Sequence, residues 1–449
     1  MSAWIADLTV KKQKAGRLAY LNARLIDPAS GRDEIGGLLT QGETIADLGP
    51  HIIGDGLADD IETIDATDLV LSPGLVDMRA HLREPGFEHQ ETIHTASRSA
   101  AVGGVTTIAC MPSTNPPIDD VSLIHFIERR ARETSLVKVH PIAAVTKDLN
   151  GTQLTEIGLL TEAGAVAFSD GLNTIMNANV LRRALSYGTT FDALIIHHAE
   201  EMTLSGSGAM NSGEISTRLG LPGMPAESEA IMAARDIRLA EMTGGRLHLA
   251  HVTTAETLDL VREAKDKGIR VTADTAPHYF ALNENAVGDY LTFAKVRPPL
   301  RSEDDRQAVV AALKDGTIDA VTTDHAPHDQ DSKRQPFVQA AFGIVGLETI
   351  LPLMLELVHN GHLSLIDAMA TVTCGPADLL KLGAGRLEIG GPADLVLIDM
   401  DSPWRVDSKA FQSKSKNSPF DGRPVQGRVE RTVVSGRTVY HRTRQPGSA

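Results

Sequence analysis

The chain has 449 residues, with 43 Lys and Arg against 58 Asp and Glu for a formal charge of −15, and 42% of its residues are hydrophobic. That make-up is globular, with chain enough for two or three domains or for one large barrel with appendages. The acidic balance without a basic run excludes a general nucleic-acid binder, and Cys110 and Cys374 alone cannot form a disulfide framework.

Residues 1–16 lack the continuous apolar core of a secretory signal, and no later run reaches membrane-spanning length. A cytoplasmic protein acting on a small molecule, without membrane or nucleic acid, is expected. The apolar runs 18–21 and 23–26 lead into Asp27-Pro28, and runs 36–39 and 44–48 follow between glycines. These predict strands and tight turns. From Leu69 the texture changes. Runs at 105–109, 139–144, 166–168, 193–196, 247–250, 269–272 and 320–322 each end in polar residues, with amphipathic stretches such as 123–133 and 228–243 between them. Alternation of β and α over roughly 300 residues implies parallel strands, most economically closed as a (β/α)8 TIM-type barrel. The chain then returns to β at 394–398 and at 431–434 and 437–440, the last two joined by a Ser435-Gly436 turn. The expected organisation is a barrel of residues 73–378 flanked by 1–72 and 379–449, which pair into a small β-sandwich.

In such a barrel the reactive side chains stand at the C-terminal ends of the strands. Five places qualify: the segment 77–86, in which Arg79, His81 and Arg83 share a face; Ser169-Asp170; His197-His198-Ala199-Glu200; His251; and Asp324-His325-Ala326-Pro327-His328. A lone His or Asp at a strand end is ordinarily a cap or a satisfied polar group. Five such ends in one chain point instead to convergence on a divalent ion, because imidazole and carboxylate suit Zn²⁺ and an open position would activate water. His89, His94, His140, His248, His359 and His362 lack this placement and read as structural, and Cys110, inside an apolar run, reads as core.

The strings Leu-Arg-Glu-Pro-Gly at 82–86, Met-Pro-Ser-Thr-Asn-Pro at 111–116, Phe-Ser-Asp-Gly at 168–171, His-Ala-Glu-Glu at 198–201, Thr-Asp-His-Ala-Pro-His at 323–328, 342–349 and Asn-Ser-Pro-Phe at 417–420 together resemble the long, class I type dihydroorotases of the amidohydrolase superfamily. The match runs from about Leu18 to Tyr440. It implies reversible, metal-assisted closure of N-carbamoyl-aspartate to dihydroorotate in pyrimidine biosynthesis. Position by position it implies Asp324 as the proton-transferring carboxylate, and His81, Asp170, His198, His251 and Asp324 as ligands of one or two Zn²⁺ ions. Arg83, Asn115, His328, Phe342 and Gly343 are implied to hold the substrate, and a homo-oligomer and an aspartate carbamoyltransferase partner are also implied.

Three departures stand against the match. Arg79 occupies a position where the family has His, and a guanidinium cannot coordinate a metal and adds positive charge where a cation should bind. Arg297 stands where Asn is usual and is expected to disturb the substrate pocket, and Cys374-Gly375-Pro376-Ala377 replaces an Asn-Pro-Ala string. One reading is an enzyme with a single metal on Asp170, His198 and His251, with Arg79 paired to Asp324 or to substrate. A second is a pseudo-dihydroorotase that scaffolds the carbamoyltransferase; an arginine head group in the ion's place, or those three ligands facing apart, would favour it. A third, allantoinase or dihydropyrimidinase, is disfavoured by Asp170 in place of a lysine and by Arg83 with Asn115, which predict a carboxylate-bearing substrate. The polar segment 329–339 reads equally as a mobile lid or an ordinary surface loop.

Overall fold

The computed structural model describes residues 16–54, 57–58 and 60–442. Residues 1–15, most of the stretch read above for its lack of a signal core, lie outside them. The start of the chain supplies β1 (Arg17–Asp27), β2 (Arg32–Gln41), β3 (Thr44–Gly49), β4 (Glu62–Asp65) and β5 (Val70–Pro73). Then come β6 (Leu75–Ala80), β7 (Val105–Cys110), β8 (Lys138–Ala143), β9 (Ala167–Ser169) and β10 (Leu194–His197). A short pair, β11 (Met210–Asn211) and β12 (Gly223–Met224), precedes β13 (Arg246–Leu249), β14 (Val271–Thr275) and β15 (Ala320–Val321). The chain ends on β16 (Leu395–Arg405), β17 (Pro424–Val434) and β18 (Arg437–His441).

The eight strands β6 to β10 and β13 to β15 pair in parallel and in chain order. Every residue of β6 and β7 is buried, as a parallel sheet covered by helices requires. The barrel closes just beyond the strand tips, where Ala80 bridges His325 and the His81 N–H donates to the His325 carbonyl at 2.8 Å. Asp77 seals the same seam: it accepts from the backbone N–H of Thr323 at 3.0 Å and from that of Arg79 at 3.2 Å. Its interior is filled by small and flexible residues, among them Met78, Ala109, Met111, Ile142, Ala167, Leu194 and Ile196. The intervening helices start at side-chain caps: Asp120 for 121–134, Thr254 for 255–266 and Ser302 for 303–314.

The two chain ends meet in one eight-stranded sheet ordered β18-β17-β16-β5-β1-β2-β3, with β4 on β1. The junction between them is the antiparallel pair β5–β16. The runs 18–21 and 23–26 are one strand, not two, because a bulge between Tyr20 and Ala23 sets Asn22 at φ 61° and lets the strand continue. The run 269–272 also shifts. The Ile269 N–H still bonds the Ala264 carbonyl of the preceding helix, so the strand begins at Val271 and reaches Thr275. Among the described residues no helix is long and apolar enough to cross a membrane.

Candidate active site

Asp324 follows β15 at the closing seam, buried, with its backbone at φ 46°. His251 after β13 and Arg83 after β6 also hold positive φ, 40° and 62°. Side chains with a Cβ rarely adopt this region, and such strain concentrates at functional sites. The His251 backbone is fixed by Asp274, which accepts its N–H at 2.6 Å while its other oxygen faces His248 Nε2 at 2.9 Å. His248 is thus structural, as expected, though it serves the site from behind.

Around Asp324 the structure assembles one continuous chain of polar groups. Arg79 Nε donates to Asp324 Oδ1 at 2.9 Å, and Asp324 Oδ2 faces His251 Nδ1 at 3.4 Å. His251 Nε2 lies 2.8 Å from His198 Nδ1, and His198 Nε2 lies 2.8 Å from Glu200 Oε2. Arg297 closes the chain with a bidentate grip on Glu200, at 2.8 and 2.5 Å. Arg297 therefore pairs with a carboxylate and orients a histidine, a positioning role that the expectation of a disturbed pocket did not contain. His278, after β14, is buried with its Nε2 4.0 Å from Asp324 Oδ2.

Burial sets the charges. It lowers His251 to about 4, with the Arg79 charge adding to the effect, and lowers His278 to about 4. Burial also lowers His198 and holds His81 well below the ordinary histidine value, the latter helped by Arg83 and Arg79. For Asp324 burial acts upward, but Arg79, His251 and His278 outweigh it and keep the carboxyl well below the usual carboxylate range. The centre is a buried carboxylate on a guanidinium, ringed by buried imidazoles.

Not every expected ligand joins this group. His198 and His251 come together; Asp170 does not join them, so the site with one metal on those three ligands is not assembled, the outcome set out above as favouring a scaffold. Asp170 Oδ1 accepts the N–H groups of Val145 and Thr146, both at 2.9 Å, and its Oδ2 accepts the Thr146 hydroxyl. His81 stands beside Arg79 and Asp324, its Nδ1 buried without a partner among the described residues. Among the described residues no group of three or more His, Cys, Asp or Glu is disposed to hold a metal. Two imidazoles, His198 and His251, are the expected donors that face one another, fewer than a closed metal site takes. At the His198–His251 pair each outer ring nitrogen faces a carboxylate, the arrangement that turns the inner lone pairs toward a shared ion. At the first-strand corner the guanidinium of Arg79 excludes one.

The remaining candidates sit on loops beyond the strand tips. Arg83 Nε donates to the Pro327 carbonyl at 3.2 Å, and burial lowers its guanidinium to about 10. His328 Nε2 lies 2.7 Å from the Phe342 carbonyl oxygen and 3.4 Å from Arg83 Nη2. Asn115 is exposed, with its backbone N–H on the Pro85 carbonyl at 3.0 Å, which docks its loop on the loop that carries Arg83. Gly343 has φ +120°, and a Cβ there would meet the Ala326 Cβ at 2.6 Å, so the backbone passes closer to the Asp324–His328 loop than any other residue allows. Asn417 ties these pieces, donating to the carbonyls of Ala326 and Gly343 at 3.0 Å each.

The candidate lid is held in place. It contains a short helix, Gln330–Lys333, capped by Asp329. The buried Lys333 Nζ donates to the Ala341 carbonyl at 2.7 Å, and the buried Lys295 Nζ donates to Val338 and Ala340 at 2.8 and 2.7 Å while lying over the Phe342 ring. Cys110 is fully buried and its thiol is pushed up to about 12, which agrees with a core role.

A closed eight-stranded parallel barrel with histidines and a carboxylate at its strand tips defines the amidohydrolase class of catalytic domain. The comparisons narrow this. A family model described as Dihydro-orotase-like matches residues 68–257, and one described as Amidohydrolase family matches 221–440. A protein named Dihydroorotase from Wolbachia sp. subsp. Drosophila simulans (strain wRi) is 49% identical, covering 95% of this chain and 97% of its own. Others of that name, from Anaplasma phagocytophilum (strain HZ) and Syntrophotalea carbinolica (strain DSM 2380 / NBRC 103641 / GraBd1), are 48% and 45% identical over 94% of this chain and 95% and 99% of theirs. Among solved structures, the L-hydantoinase (dihydropyrimidinase) from Arthrobacter aurescens superposes with a TM-score of 0.85 at 26% identity, covering 96% of this chain and 97% of its own. The chain belongs to the dihydroorotase family of the amidohydrolases.

The sequence reading missed His278 and gave Glu200 no role. Glu200 had a usable signal, two residues beyond His198 at the same strand end. His278 was hidden because the strand before it was placed two residues early.

Proposed function

We propose that this protein is a dihydroorotase, opening and closing the ring between dihydroorotate and N-carbamoyl-aspartate in the cytoplasm. The observation that carries the reading is the buried Asp324, held in strained backbone against Arg79 and among buried imidazoles, in a chain whose relatives bear that name. In ring opening Asp324 takes the proton of the attacking water and returns it to the departing ring nitrogen. Arg83, with Asn115, offers a guanidinium and an amide to the substrate carboxylate, which fixes both charge and orientation. His328 and the Phe342–Gly343 backbone shape the wall beside them. His198 and His251 would hold one divalent ion, zinc by donor type, and Glu200 with Arg297 orients His198 for it. When bound, such an ion supplies Lewis acidity that eases the ionisation of water.

The test is hydrolysis of dihydroorotate, hydantoin and allantoin by the purified protein, alone and with the carbamoyltransferase, coupled to elemental analysis. Turnover of dihydroorotate above the other two is expected. Preference for hydantoin or allantoin would reassign the substrate. A metal-free protein inert in every arrangement would leave the scaffolding role, which the Arg79 head group against Asp324 would then explain.

A further inference from the structure

Arg79 is 2% exposed, and both its terminal nitrogens, Nη1 and Nη2, are buried without a hydrogen-bond partner among the described residues. Only Nε is satisfied, on Asp324. Three more buried orphan atoms stand by the same carboxylate: Nδ1 of His81, and Nδ1 and Nε2 of His278. Leaving a buried donor unpaired is costly, more so when it is charged. Five such atoms gather near one carboxylate, and their hydrogen-bonding capacity is open to a group from outside the chain. A guanidinium fork selects what that group is: its N–H groups cannot bind a cation and are shaped for electron-rich oxygen.

We propose that Arg79 is a catalytic residue whose terminal N–H groups receive the ring carbonyl oxygen of the substrate and neutralise the charge that develops on it. This rests on the dihydroorotase reading. In ring opening the water oxygen bonds to the carbonyl carbon, the C=O π pair moves onto the oxygen facing Arg79, and the water proton passes to Asp324. The pair then returns to re-form C=O, the C–N bond breaks, and the proton on Asp324 passes to the departing nitrogen. One side chain thereby aligns the base through Nε and the electrophile through Nη1 and Nη2. A position that the resemblance assigns to a metal-binding histidine carries a permanent positive charge here.

The experiment compares the protein with its Arg79→Gln and Arg79→Lys variants, measuring kcat and KM for dihydroorotate, bound metal per chain and the thermal melt. For Arg79→Gln kcat should fall about 10²–10³-fold with KM within about threefold, the signature of an interaction made only in the transition state. Metal content should stay at the level of the parent, which separates this role from a metal-supporting one, while the melt should fall because the buried Asp324 loses its counter-charge. Arg79→Lys, which keeps the charge and loses the fork, should fall between the two. A glutamine variant that keeps kcat within about fivefold, or that loses activity through KM alone or together with its metal, overturns the assignment. If the glutamine variant does not fold, a lysine variant with the full parental kcat overturns it. A parent protein inert toward dihydroorotate instead brings down the functional reading, and this assignment with it.

Discussion

Glu348 shows how far a single burial can tune a carboxyl. Ser99 Oγ and the N–H groups of Gln412 and Ser413 all donate to its Oε1, and burial pushes the group up to about 7 from 4.5. A carboxyl raised in the folded state contributes stability that is fully present below its unfolded value and is lost as the pH rises through the folded one. Glu348→Gln keeps an oxygen for the three donors and puts an amide where Oε2 accepts nothing. It is expected to match the parent at pH 5 and to exceed its stability at pH 8 by on the order of 2 kcal/mol, read from urea unfolding. Equal pH slopes would contradict this. At this scale the sequence showed which polar residues stand at strand tips, and the structure brings His198, His251 and Asp324 together there. The sequence was illegible for Asp170, because the backbone N–H groups of Val145 and Thr146 that capture its carboxylate belong to the neighbouring strand's loop.

The segment 329–341 is an element whose behaviour its composition concealed. A polar run such as 329–339 reads equally as a lid or as an ordinary surface loop, yet two lysines bury their ammonium groups and donate to the carbonyls of Val338, Ala340 and Ala341, and burial lowers Lys295 to about 8 and Lys333 to about 7. Nothing in a linear sequence marks a lysine as buried, so this arrangement could not be read in advance. Lys333→Met keeps the apolar stem and removes the donor. It should speed limited proteolysis within 329–341 and raise KM several-fold with little change in kcat, because the Phe342–Gly343 wall loses its anchor. Unchanged proteolysis would show that the helix Gln330–Lys333 holds the segment by itself.

For the whole molecule, the alternation of apolar runs and amphipathic stretches sufficed to read a parallel barrel and the pairing of the two chain ends. Strand limits were less legible, since a bulge or a helix C-terminus shifts a boundary without altering the apolar pattern. The sheet built from both ends is more than an appendage. Val396, Ile398, Val425 and Val429 share one core with the barrel's helices, and Thr432 Oγ1 donates to the Ala101 carbonyl at 2.7 Å. A fragment limited to residues 74–380 is therefore expected to be insoluble or to lack a cooperative melt, because that apolar face would be left in water. A soluble fragment melting as the full chain does would show the sheet to be dispensable.

The seam carries one more consequence. The bridge from Ala80 to His325 and the ion pair from Arg79 to Asp324 join the same two strand tips, so the cylinder shuts and Asp324, the proposed base, meets its counter-charge in a single event. A half-assembled polypeptide is therefore chemically silent, and regained turnover during refolding would count finished molecules and nothing earlier.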